Sequence, residues 1–127
     1  MPETEYHGPS PTELKLETIM KEVESVTNED IEFLATQMNS FEFKRAMKGI
    51  AKTYKEKTGQ DLEVELVFDI EDPNNYKHYH DKVWFLRQCK TWRETDKHIK
   101  KIIIRGPAGT KDLERNVFNS GVTFAEA

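Results

Sequence analysis

The sequence predicts an α+β domain in which N-terminal helices pack on a small antiparallel sheet. Three observations carry this expectation. Three successive stretches, about 11–25, 28–38 and 41–58, repeat apolar residues at the helical period. The next stretch, 61–70, switches to the period of two that marks a half-buried strand. Further strand-like segments then follow through short turns, the pattern of a meander covered by helices on one face. At 127 residues the chain has room for one core. That core is expected within 10–118, between a flexible N-terminal tail at 1–9 and a C-terminal tail at 119–127.

The first helix opens on Ser10-Pro11-Thr12-Glu13, where Ser10 is the cap, Pro11 takes the first helical position and Glu13 completes a capping box. Leu16, Ile19, Met20 and Val23 form its apolar stripe. Thr27 and Asp30 repeat the start signal for a helix carrying Ile31, Leu34 and Met38, and Asn39-Ser40 interrupts it. The third helix holds Phe43, Ala46, Met47, Ile50, Ala51 and Tyr54 on one face and ends at Gly59, a left-handed terminator. Leu62, Val64, Leu66, Phe68 and Ile70 then alternate with acidic neighbours, which gives the strand one apolar and one acidic face. Asp72-Pro73-Asn74-Asn75 is turn chemistry. The aromatic enrichment of 82–93 predicts a second strand, with a helix as the alternative. Ile102-Ile103-Ile104 marks a third at 97–105, Gly106-Pro107 ends it, and Leu113, Val117 and Phe118 belong to a short C-terminal helix. A three-stranded sheet leaves edges open, so pairing with a second copy is expected as well.

Composition excludes several classes. Charged residues make up 33% and hydrophobic ones 36%, and the mean hydropathy is -0.77; the 10% of aromatics and the apolar runs still mark a folded chain. No apolar run approaches the roughly 18 residues a membrane helix needs. Met1 to Ser10 lacks the apolar core of a secretory leader, and the single Cys89 fits a reducing compartment, so a cytoplasmic location is expected.

Charge is divided unevenly along the chain. Residues 1–74 carry 8 basic and 17 acidic side chains, and residues 75–127 carry 11 basic and 6 acidic. The basic half contains Lys82, Arg87, Lys90, Arg93, Lys97, Lys100, Lys101, Arg105 and Lys111, with Trp84, Phe85 and Trp92 interleaved. Cations neutralise phosphates and exposed rings stack on unpaired bases, so this combination points to single-stranded nucleic acid or another phosphate-bearing ligand. The expected contact set is those nine cations together with Trp92. The competing reading pairs the charges with one another: Glu63 and Glu65 would face Arg87 and Arg93 across a 61–70/82–93 ladder, or the acidic and basic faces of two copies would meet.

Two further clusters invite chemistry. His78 and His80 sit two residues apart and would point the same way in an extended segment, within reach of one phosphate and suited to acid–base work in a metal-independent ribonuclease. The other donors, His7, His98 and Cys89, show no metal-site spacing, and no metal or other cofactor is expected. Gly106 to Lys111 follows a strand, but Thr110 and Asp112 occupy positions where a phosphate loop needs Gly and Ser/Thr, which excludes a nucleoside triphosphatase of that type. A single phosphate at Gly109 and Thr110 is the weaker claim that survives. The function expected is therefore a small non-enzymatic regulatory or binding protein with a nucleic-acid or phosphate ligand on its basic half. A structural or adaptor protein and the ribonuclease are the alternatives.

Overall fold

The computed structural model describes residues 8–126; the expected N-terminal tail lies outside the described residues up to residue 7. Among the described residues four α-helices and three strands follow one another as α1 (Pro11–Lys21), α2 (Asn28–Gln37), α3 (Ser40–Thr58), β1 (Val64–Asp69), α4 (Lys82–Thr95), β2 (Ile99–Gly106) and β3 (Val122–Glu126). Short 3-10 segments at Val23–Ser25, Pro73–Tyr76 and Ala108–Val117 join them.

The first three helices follow from local chemistry. The Ser10/Glu13 and Thr27/Asp30 capping boxes are both formed, and a third, Asn39 with Glu42, starts α3. Each box satisfies two of the N–H groups that a helix start leaves without partners. Gly59 closes α3 in the left-handed conformation at φ 76°, its N–H donating to the Lys55 carbonyl.

The sheet corrects the antiparallel expectation. Its order is β1-β2-β3 and every pair is parallel. The cause is the segment 82–93, which is not a strand but part of α4. Asp81 caps this helix by accepting from the Trp84 N–H at 3.0 Å, and Phe85, Leu86, Cys89 and Trp92 form its buried stripe. A chain that leaves one strand, returns along a helix and enters the next strand must enter it in the same direction. The segment 108–117, expected as a short helix, is 3-10 in form, and it brings the chain back for β3, parallel again. Residues 122–126, read from sequence as tail, thus supply the third strand.

Helices cover one face of this sheet. Leu66, Phe68, Ile102 and Ile104 are buried there with Phe85, Leu86 and Cys89 of α4. Phe85 meets Phe68 edge-on at 5.2 Å and also neighbours Tyr79 and Trp92, while Phe43 of α3 packs on Trp92 at 4.8 Å. Burial pushes the Cys89 thiol well above its ordinary pKa, and the Tyr79 hydroxyl is pushed up by burial first and by Cys89 second. The hydroxyl of Tyr79 and Nε1 of Trp92 are buried without a hydrogen-bond partner.

The opposite face carries Glu65, Val67 and Asp69 of β1, Lys101, Ile103 and Arg105 of β2, and Thr123 and Ala125 of β3; all are exposed except Ile103, which is half-buried. The outer edge of β1 is occupied by α2, where Asn28 Oδ1 accepts from the Glu65 N–H at 3.1 Å and Glu32 Oε2 from the Val67 N–H at 2.9 Å. At the entry to β3, Gly121 has φ 84°, and a Cβ there would lie 2.9 Å from Arg93 Nε. Only glycine fits both demands.

No helix among the described residues is long and apolar enough to cross a membrane.

A lysine-lined groove as the candidate functional site

Helix α3 has two working faces. One is the apolar stripe Phe43, Ala46, Met47, Ile50 and Ala51. Beside it run Lys44, Lys48, Lys52 and Lys55, spaced by four, four and three residues, so that lysine backbone positions recur about every 6 Å along roughly 16 Å of helix. Across from them stand Gln88, Thr91 and Thr95 of α4 and the Asp96-Lys97-His98 turn that leads into β2. Between these elements lies an open groove of about 740 Å³. Its floor is apolar, formed by Phe43, Ala51 and Trp92, and Phe41 stands at its mouth, 66% exposed. The Arg45 guanidinium lies over the Phe41 ring at 4.9 Å.

Five lysines and two carboxylates therefore share the groove. Both carboxylates are engaged: Asp61 accepts the Lys55 ammonium at 3.4 Å, and Asp96 Oδ1 accepts from the His98 N–H at 2.9 Å. His98 is itself oriented, because Nδ1 lies 2.9 Å from the Leu62 carbonyl. A carbonyl only accepts, so Nδ1 carries the hydrogen and Nε2 is the ring nitrogen left for a ligand. The cleft presents several ammonium donors, hydroxyl and amide groups from Thr91, Thr95 and Gln88, and an apolar floor, which favours a positive potential. Chemically it is suited to hold an extended anion by many contacts.

The residues singled out from sequence are dispersed. Lys97 and Trp92 belong to the groove, Trp92 as buried floor, 4% exposed and closed to base stacking. Lys82 pairs with Glu71 at 3.3 Å, and Arg87 lies over the exposed Trp84 ring at 5.2 Å. Lys90 is half-buried on α4, and Arg93 turns inward against Gly121 with Nε buried and without a partner. Lys101 and Arg105 stand on the open face of the sheet, with Lys100 exposed at the irregularity that starts β2. The side chains of Gly109, Thr110 and Lys111 lie outside the described residues. His78 and His80 are exposed in the segment before α4. The proposed facing of Glu63 and Glu65 with Arg87 and Arg93 is also corrected: in the sheet Glu65 stands opposite Lys101, and Asp69 opposite Arg105. Among the described residues no group of three or more His, Cys, Asp or Glu side chains is arranged to hold a metal ion.

Lys44, Lys48, Lys52 and Lys55 escaped the sequence reading because they belong to the half of the chain that is acidic in sum. The signal was nonetheless local, since α3 alone carries six basic and two acidic side chains.

No protein-family model, no curated protein and no solved structure matches this chain.

Proposed function

We propose that this chain is a binding protein whose ligand is a phosphate-bearing polymer, a single-stranded nucleic acid, held in the groove between α3 and α4. The observation that carries the reading is the row of lysines on α3 facing Lys97 across an apolar floor, with both nearby carboxylates already engaged. Lysine ammonium groups spaced along a helix engage successive phosphates without reading sequence. Phe41 at the mouth offers a ring on which a base can stack, the usual supplement to such electrostatic contacts. The role is capture rather than chemistry.

The experiment is a titration of labelled single-stranded RNA and DNA followed by fluorescence anisotropy, at two salt concentrations. Binding that weakens steeply with salt, and that is lost in a folded Lys48→Glu/Lys52→Glu variant, supports the reading. Unchanged binding in that variant refutes the groove, and absence of binding at low salt refutes the ligand class.

A further inference from the structure

All-parallel sheets are almost always covered on both faces, because the crossovers that make strands parallel also supply the covering layers. Here the crossovers cover one face only, and the other is exposed over all three strands. That face is ordered by column and by row. The β1 column presents Glu65, Val67 and Asp69, and the β2 column Lys101, Ile103 and Arg105. Register places them as three rows: Glu65 beside Lys101, Val67 beside Ile103, Asp69 beside Arg105. The outer rows are ionic, with the acid always on β1 and the base always on β2, and the middle row is apolar.

A second copy fits this pattern by symmetry. A half-turn about an axis parallel to the strands, placed above the face between β1 and β2, keeps each residue's position along the strands and exchanges the two columns. It sets Glu65 against Lys101 of the other copy and Asp69 against its Arg105, and it stacks Val67 on Ile103. Every contact occurs twice, as an isologous interface requires. The small side chains of Thr123 and Ala125 on β3 leave room for the approach, and two sheets in contact lie about 10 Å apart. We infer that this open face is the interface of a homodimer in which the acidic column of each copy lies on the basic column of the other. The inference is independent of the groove, which lies among the helices.

The test is the mass in solution, followed by two charge reversals on exposed positions. Wild type at low salt is expected at twice the 14.9 kDa chain mass by sedimentation equilibrium. Glu65→Lys sets lysine against lysine across the interface, and Lys101→Glu sets acid against acid, so each folded variant alone is expected as a monomer. Mixed in equal amounts, the two variants complement one another and are expected to form a heterodimer, a recovery that lateral pairing within one sheet cannot produce. A monomeric wild type throughout the micromolar range overturns the inference. So does a dimer that persists in both single variants, or a mixture that stays monomeric. Should one variant fail to fold by circular dichroism, Asp69→Arg paired with Arg105→Asp repeats the same exchange on the other ionic row.

Discussion

The lysine row of α3 makes a quantitative statement about salt. Of the five groove lysines, Lys55 is engaged by Asp61, which leaves Lys44, Lys48, Lys52 and Lys97 for phosphates. Each phosphate neutralised on a single strand contributes about -0.7 to the slope of log affinity against log salt, so four contacts predict a slope near -2.8. A fourfold rise in salt should then weaken binding about 50-fold. In a Lys48→Gln/Lys52→Gln variant two contacts are gone, the slope should fall to about -1.4, and the same change in salt should cost only about sevenfold. Both side chains are exposed, so stability should change by less than about 0.5 kcal/mol per substitution. Anisotropy titrations over a salt series give both slopes, and urea unfolding checks the fold. If wild type and variant share one slope, the phosphates are engaged elsewhere and the groove assignment fails.

Other outcomes test the core and its titrating groups. Phe85→Ala removes a fully buried ring that meets Phe68, Tyr79 and Trp92, and it should cost about 3–5 kcal/mol in urea unfolding, a large part of a small domain's stability. Tyr79→Phe deletes a buried hydroxyl that has no partner, so the variant should be at least as stable as wild type, by up to about 1–3 kcal/mol. The Glu32 carboxyl is raised above its ordinary value by burial first, with the Val67 N–H opposing and Glu29 adding to the rise. The folded state therefore holds that proton more tightly than the unfolded chain, and wild type loses stability as pH rises through the raised value. Glu32→Gln keeps an oxygen for the Val67 N–H without the charge, so its stability relative to wild type should grow from acid to neutral pH in parallel urea series; a constant difference would contradict the assigned cause. Cys89 is fully buried with its thiol pKa pushed up, so an aromatic disulfide reagent should react only as fast as the protein unfolds.

What could be read from the sequence follows the range of the forces involved. Helices α1 to α3 are written in capping residues and apolar stripes only a few positions apart, and the Asn39/Glu42 box, whose first residue interrupts the stripe of α2, belongs to the same local code. Strand β1 announced itself through alternation, and its acidic residues do lie on the exposed face. Residues 82–93 have the look of a strand in sequence because Val83, Trp84 and Phe85 resemble strand composition. Phe85, Cys89 and Trp92 carry the helical spacing, and Asp81 supplies the cap. That single exchange of strand for helix reverses the sheet from antiparallel to parallel, since strand direction depends on what lies between strands. Strand β3 has five residues, and among 122–125 Val122 alone is buried, too short a run to show a period. The groove was hidden for a different reason: its walls come from helices some forty residues apart, and a charge total over half the chain averages away a local row of lysines.

The two side chains of α2 that occupy the outer edge of β1 set a limit on growth. A flat sheet with two free rims behaves as a bifunctional monomer, and each added strand regenerates the rim it used. Asn28 and Glu32 already hold the outward N–H groups of Glu65 and Val67, so the β1 rim has no donors to offer there. Strand addition along Glu65 and Val67 is blocked, which favours the β3 side, and two chains joined there would end at a stoppered rim in both directions. The sheet is thereby monofunctional: an encounter between strand edges terminates at two copies instead of propagating into a fibre.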